Sequence, residues 1–432
     1  MNSSAPYSAF ERWPVAIAGT ALQVCLGTVY AWSYFQAPIM KAQGWSNEAV
    51  TWIFSAAIFC LGLAAAWAGW QLKQGKLSPR FLAMTGGVLF GLGHLVSAAA
   101  LAWGQWGLLL FGYGVIGGIG LGFGYVVPVA TAVKWFPDKK GFVTGLVVMG
   151  FGLGALLMSK VLAPLTFQVF NGNLAQAFAA MGGVFIVLGA LAGWWMKNPP
   201  VGNGAVRTES TVPDSIAWGR FALLWLLFFC NIFVGISIIS FQSPLLQDLL
   251  QRTRPGISAS DLAAAGATLI ACGAIFNGFG RIFWGAVSDR IGQSHTFSLM
   301  FAAQIGAFLF LSRVTSPVFF GLLVCAILLC FGGGFSVLPS YVHQLFGEKP
   351  MAMLFGMALT AWSVAGIAGP RFLAWLRDHY PAQVASTTVY TVSAILMAAG
   401  LILSFLPALR TAREEKIPVR IGVNGTEELT AD

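Results

Sequence analysis

The chain has 432 residues, of which 57% are hydrophobic and 9% charged, with 24 Lys and Arg against 15 Asp and Glu. Soluble domains carry about 25% charged residues, so this composition excludes a chain that faces water over its whole surface. The net charge of +9 does not mark a nucleic-acid partner, because the basic residues are dispersed along the sequence.

A helix needs about 20 apolar residues to cross the hydrocarbon core of a bilayer. Such stretches recur at roughly 14–38, 48–70, 81–102, 107–133, 142–166, 176–196, 218–246, 262–287, 296–312, 317–343, 351–374 and 385–408. They predict an all-α membrane protein of twelve transmembrane helices whose partner is the lipid bilayer. The first stretch is not expected to be a cleavable signal: the start is poor in positive charge, Pro14 and three aromatics interrupt it, and no small-residue cleavage site follows before Pro38. His94, in the third span, is expected to be a hydrogen-bonded core residue. The fourth and fifth spans are rich in glycine, including Gly112, Gly114, Gly117, Gly118, Gly120, Gly122 and Gly124, then Gly145, Gly150, Gly152 and Gly154. Small residues let membrane helices approach closely, for fixed packing or for sliding. Lys160 lies near the outer end of the fifth span, where its amine can snorkel to the interface.

Residues 198–217 are polar, with Pro, Gly and both signs of charge, and read as a cytoplasmic linker between an N-terminal bundle, 1–197, and a C-terminal bundle, 218–408; residues 409–432 read as a tail. The halves resemble each other. Phe35-Gln36-Ala37-Pro38 closes the first span and Phe241-Gln242-Ser243-Pro244 the seventh. Pro128 and Trp135-Phe136-Pro137-Asp138-Lys139 in the first half are matched by Pro339 and Leu345-Phe346-Gly347-Glu348-Lys349 in the second.

In the eighth span Arg281 lies well inside the apolar run, with Asn277 one turn earlier on the same face. A cation at that depth is costly and marks a functional site by default. Its planar fork suits a carboxylate, and the alternative is an Arg satisfied by backbone carbonyls. No Asp or Glu occupies the middle of any span to neutralise it. The Ser288-Asp289-Arg290-Ile291-Gly292 loop follows this span, and Asp289 and Arg290 are the candidate gating charges. Gly332 to Gly334 are expected to break the tenth span. Lys134, His343, Arg371 and Arg377 are expected to be interfacial. The six cysteines all fall within apolar spans and read as small core residues, so no metal site or disulfide frame is expected. With both termini in the cytoplasm, 16 of the 24 basic residues fall on that side, the bias that orients membrane proteins. The expected location is the cell (inner) membrane.

The chain resembles the oxalate/formate antiporter family of the major facilitator superfamily and, more distantly, the monocarboxylate transporters. The resemblance rests on Gly27-Thr28-Val29-Tyr30-Ala31-Trp32-Ser33, the run from Gly118 to Tyr125, Lys134-Trp135-Phe136-Pro137-Asp138-Lys139-Lys140-Gly141, Gly150-Phe151-Gly152-Leu153-Gly154, and Phe276-Asn277-Gly278-Phe279-Gly280-Arg281-Ile282-Phe283-Trp284-Gly285 with Ser288-Asp289. It implies the major facilitator fold, two six-helix pseudo-repeats with substrate bound between them. It also implies that Arg281 holds a substrate carboxylate, with Asn277 and Tyr125 donating hydrogen bonds and Tyr30, Phe151, Phe331, Phe335 and Trp362 as walls. Trp362 stands where the oxalate carrier of that family has a second cation, a lysine. The resemblance then implies a secondary transporter of one short monocarboxylate, of the lactate, pyruvate, formate or acetate type, with a proton as its partner; anion exchange is the alternative. A membrane enzyme and a sensor are remoter readings, since no acid–base pair or nucleophile sits within the spans and no added soluble domain is evident. No cofactor is implied, and the protein is expected to act as a monomer. A last departure is Gly69-Trp70-Gln71-Leu72-Lys73-Gln74-Gly75-Lys76, which lacks the acid usual there in the superfamily, so the first half is expected to be latched differently.

Overall fold

A computed structural model describes residues 8–200, 216–406 and 409. Among these residues twelve helices are long and apolar enough to cross a membrane: α1 (Phe10–Ala31), α2 (Glu48–Gln74), α3 (Pro79–Trp103), α4 (Trp106–Trp135), α5 (Lys140–Val169), α6 (Leu174–Trp194), α7 (Trp218–Thr253), α8 (Ala264–Ile291), α9 (Gln293–Leu311), α10 (Pro317–Phe346), α11 (Met351–His379) and α12 (Ala382–Ser404). Most of the expected linker, 201–215, and most of the expected tail lie outside the described residues. An even number of crossings puts the start of α1, the end of α6, the start of α7 and the end of α12 on one face, here the near face; the opposite face is the far face.

Local chemistry starts and stops these helices. Ser46, Ser78, Asn173, Ser258 and Ser316 each accept a hydrogen bond from the backbone N–H three residues on, satisfying one of the donors a helix start leaves over. Pro79 and Pro317 sit in first turns, where the missing N–H costs nothing. Gly44 and Gly75 end helices in left-handed conformation. Outward-facing Leu63, Leu191, Leu322, Ile395 and Ile402 give the bundle an apolar exterior, which suits lipid and not water.

The regular paths are interrupted in four places. The last turn of α1, Thr28–Ala31, is a 3-10 turn that leads into a further helix, Trp32–Gln43; the Thr28 hydroxyl donates to the Cys25 carbonyl at 2.7 Å and competes with the ladder there. π-helical turns occupy Leu110–Gly117 in α4 and Met158–Leu162 in α5. α11 is broken at Leu359, between Met351–Ala358 and Thr360–His379. The break expected at Gly332 to Gly334 is absent: α10 runs unbroken from Pro317 to Phe346. Those glycines serve close approach instead, with Asn277, Trp284 and Asn231 packed where a Cβ would stand on Gly332, Gly333 and Gly334. The loop expected at Ser288–Ile291 is likewise helical, because α8 continues to Ile291 and ends at Gly292, φ 89°.

Glycine-lined contacts hold the first six helices together. A Cβ on Gly87 of α3 would lie 2.5 Å from the Gly189 backbone of α6, while one on Gly183 would meet nothing within 4 Å. His94 is buried on α3 as expected, its Nδ1 2.9 Å from the Phe90 carbonyl oxygen and its ring among Phe90, Tyr113, Phe178 and Phe185. Gly87→Val should therefore destabilise the protein by about 1–3 kcal/mol, as overpacking does, and Gly183→Val should not; thermal unfolding of both variants in detergent checks the pair.

Candidate functional site

Arg281 projects from α8 into the centre of the bundle and is fully buried. Helical side chains lean toward the helix N-terminus, so the guanidinium lies back toward Asn277, whose Oδ1 is 3.4 Å from Nε. Nη1 donates to the Val148 carbonyl oxygen of α5 at 2.8 Å. Nη2 has no acceptor among the described residues. The guanidinium carbon stands 4.8 Å from the Phe335 ring centre and 5.6 Å from that of Phe151, contacts worth about 0.5–2 kcal/mol each. Arg281 thus engages one backbone carbonyl, and one edge of its fork is open among the described residues.

The aromatic residues expected at the site form one cluster with it. Tyr30 packs on Phe151 at 5.0 Å between ring centres, Trp362 at 5.9 Å and Phe331 at 6.5 Å. Tyr125 packs on Phe151 at 5.1 Å and Trp362 at 5.4 Å. Phe335 closes the group, 4.6 Å from Trp362 and 5.2 Å from Phe331. The hydroxyls of Tyr30 and Tyr125 and Nε1 of Trp362 are buried and make no hydrogen bond of good geometry among the described residues, and both hydroxyls lie close enough to the Arg281 guanidinium to interact with it. Phe228 and Phe355 extend the cluster, at 5.4 Å from Phe335 and 6.5 Å from Tyr125. Sequence reasoning passed over both, although Phe355 lies one and two turns before Thr360 and Trp362 in the stretch that placed Trp362. The Val148 carbonyl had no sequence signal, since every residue carries one.

The profile of the Major Facilitator Superfamily matches residues 17–370. The chain belongs to the major facilitator superfamily. It is 27% identical over 379 residues to an oxalate:formate antiporter of Oxalobacter formigenes, covering 83% of each chain. It is 26% identical over 450 residues to an apicoplast pyruvate carrier of Toxoplasma gondii, covering 80% of each. Among solved structures, the proton:xylose symporter XylE shares the fold at a TM-score of 0.66 with 14% identity, over 94% of this chain and 99% of that one.

In this major facilitator transporter two seams join the halves. Along the first, α5 lies against α8: a Cβ on Gly152 would sit 2.7 Å from the Cα of Gly278, and Gly145 has no room for one beside the Arg281 carbonyl. At the near end of this seam the Asp289 carboxylate, in the last turn of α8, accepts hydrogen bonds from the backbone N–H groups of Gly141 and Phe142, at 3.1 and 3.0 Å. An anion at a helix start is favoured by the helix dipole and by the free N–H groups there. Lys140 Nζ lies 2.6 Å from Nε2 of His343 on α10, a contact in which the neutral imidazole accepts. Arg290 is exposed and forms no ion pair among the described residues, so the structure joins Asp289, and not Arg290, to the facing half. Lys134 donates to Asn198 at 3.1 Å, and Lys160 is exposed.

Among the described residues the second seam, α2 against α11, shows no such capping carboxylate at its near end. Gly69 and Gly356 lie directly against the carbonyls of Ala352 and Ala65, which is how the segment lacking an acid is closed. At the far end Arg371 pairs with Glu48 at 2.8 Å and covers Trp52, and Arg377 pairs with Asp248. Beside the first seam a small crevice reaches Tyr30 and Asn277 from the far side, lined also by Gly152, Gln242, Gly273 and Leu328.

Asp289→Ala leaves two N–H groups without their acceptor, a loss of about 1.5–3 kcal/mol for bonds to a charged group. Behind it lies Ser336, its Oγ 3.5 Å from where a Cβ on Gly285 would stand. In a cysteine-free background, a Ser336→Cys probe should be alkylated from the near side at least about tenfold faster once Asp289 is Ala, tenfold being 1.4 kcal/mol.

Proposed function

We propose that this transporter carries one short monocarboxylate, of the lactate, pyruvate, formate or acetate type, together with a proton, by alternating access between a far-side and a near-side opening. The reading rests on one observation: the open edge of Arg281 faces a closed aromatic cluster that holds three further unpartnered donors, from Tyr30, Tyr125 and Trp362, and no carboxylate. Such a set is short of one anionic acceptor. A carboxylate would take Nη2 and the nearby hydroxyls, with Asn277 holding the guanidinium in place, while Phe151, Phe331, Phe335 and Trp362 would enclose the small apolar remainder. In the dry cluster that ion pair is stronger than in water. Once neutralised, Arg281 no longer resists occlusion, which gives substrate a differential hold on the closed state.

The bias of basic residues supports a cytoplasmic near face in the inner membrane, with the halves at 1–197 and 218–408, a linker at 198–217 and a cytoplasmic tail at 409–432. Asp289, with Arg290 beside it, would then gate the cytoplasmic opening. The relative named as an oxalate:formate antiporter favours a second reading, exchange of anions. The single buried cation and the indole of Trp362 at the other end of the cluster favour one carboxylate over two.

Two experiments test the reading. Arg281→Lys keeps a charge and loses the fork, so uptake into proteoliposomes should fall by about tenfold or more, given about 1.5–3 kcal/mol for a charge-assisted bond, with the protein still monodisperse; normal uptake by Arg281→Ala would remove the assignment. The carried acid has a pKa of roughly 4 and meets Arg281 as an anion at neutral pH. Uptake of a monocarboxylate into empty vesicles should then rise with an inward proton gradient, collapse with a protonophore and resist competition by oxalate. Uptake that ignores the gradient and requires an internal anion establishes exchange instead.

A further inference from the structure

We infer that Gln242 is a specificity-determining residue that selects monocarboxylates bearing an oxygen on the carbon next to the carboxylate, the 2-hydroxy and 2-oxo acids, over unsubstituted acids. The inference rests on the monocarboxylate reading of Arg281 and adds to it a second polar contact on the far side of the same site.

Gln242 lies on α7 and is 4% exposed, and its Oε1 has no hydrogen-bond partner among the described residues. Burying an amide oxygen without a partner costs about 1–3 kcal/mol, so the position is expensive unless something else occupies the crevice. Gln242 lines that crevice together with Tyr30 and Asn277, the two residues that also border Arg281. A Cβ on Gly273 would lie 2.9 Å from Gln242 Oε1 and 2.7 Å from Leu328 Cδ1, so the amide sits at the level of Gly273. Gly273 is one helical turn outward of Asn277 on α8, about 6 Å at 1.5 Å per residue. Because the Arg281 side chain leans back toward Asn277, the guanidinium and the amide are separated by a gap of that order.

A molecule of a few atoms spans such a gap. A carboxylate oxygen sits about 2.8 Å from Nη2, an oxygen on the next carbon lies about 3 Å from that carboxylate oxygen, and a second hydrogen bond adds about 2.8 Å, a reach of up to about 8 Å that covers the gap. An amide both donates and accepts, so it serves a hydroxyl or a keto oxygen. Ala155, Ile239, Ile270 and Ala274 are apolar; with the Tyr30 hydroxyl turned to the carboxylate and Asn277 to the guanidinium, the Gln242 amide is the polar group left for a C2 oxygen.

The internal repeat supplies an independent contrast. Gln36 holds the same place in Phe35-Gln36-Ala37-Pro38 that Gln242 holds in Phe241-Gln242-Ser243-Pro244. Gln36 donates to the Thr51 hydroxyl at 3.2 Å. One copy of the glutamine is tied to its own bundle, whereas the other has its oxygen left over at the edge of the site.

The test compares labelled lactate with labelled propionate, which differ by one hydroxyl, in initial uptake by proteoliposomes of the full chain. A site built to bond a substrate hydroxyl rejects the analogue lacking it, so the KM for lactate should be at least about tenfold below that for propionate. Gln242→Met keeps the length and removes the amide: it should bring the two KM values within about twofold by weakening lactate alone. Gln242→Asn, a milder change for the fold, should give an intermediate ratio. Equal KM values in the unaltered protein, or a variant that weakens both acids alike, overturns the role of Gln242 while leaving Arg281 in place. Uptake of neither acid overturns the monocarboxylate reading beneath it.

Discussion

A guanidinium buried among apolar helices is the constraint on which the rest of this molecule is arranged. A cation at such depth is costly by any measure, and among the described residues no carboxylate pairs with it. What the chain supplies is weaker and spread out: the Val148 carbonyl, the Asn277 amide and the faces of Phe151 and Phe335. These leave Nη2 open. Full neutralisation by a resident acid would remove the reason for an anion to enter. Partial satisfaction keeps the site folded while leaving electrostatic energy for a ligand to release.

The same arginine also ties the halves together. Arg281 belongs to α8, and its acceptor Val148 belongs to α5, so a hydrogen bond of the proposed binding group crosses the interface that alternating access must shift. The bond can form only because the two helices touch backbone to backbone, with Gly145 against the Arg281 carbonyl and Gly152 against Gly278. Side chains on either glycine would hold the helices apart and lift the guanidinium off the carbonyl. Small residues on this seam therefore set the place of the guanidinium as well as the packing, and a ligand that drew it away from Val148 would act on the contact between the halves.

Much of this was legible in the sequence, for identifiable reasons. Twelve spans are legible because lipid demands long apolar runs with every backbone group satisfied inside the helix. Arg281 is legible because charge is so rare in those runs, and the aromatics followed from the resemblance once the arginine was placed. Features set by backbone geometry were not legible. The Val148 carbonyl, the π-helical turns in α4 and α5 and the break at Leu359 carry no residue-type signature. Gly332 to Gly334 misled for the converse reason: three glycines in a row suggest a break, yet here each answers a bulky neighbour, and the ladder of α10 continues through them. Asp289 was legible as a charge near a helix end; that it caps the start of α5 depends on how the halves meet.

The repeat was copied in sequence, but its two seams close by different physics. At the near end of α5 and α8 a carboxylate holds two backbone N–H groups, and parting the seam leaves all three to be rehydrated. At the near end of α2 and α11 the contact is between Gly69, Ala65, Ala352 and Gly356, whose polar groups are already used within their own helices. Parting that end forfeits dispersion contacts; the hydrogen bonds that cross this seam, from Ser363 Oγ to the Phe59 carbonyl at 2.8 Å and from Ser55 Oγ to the Gly366 carbonyl at 3.2 Å, lie farther along it. At the far end the charge lies on the other seam, where Arg371 meets Glu48, but these side chains are 34% and 65% exposed, and an exposed pair contributes about 0–1 kcal/mol. The strong closure is thus the near end of α5 and α8, the seam that carries Val148 and Arg281 toward its middle. The proposed binding site and this latch share one pair of helices, so a displacement of α5 against α8 set off at the guanidinium would reach the Asp289 contact along continuous backbone, with no third element needed between them.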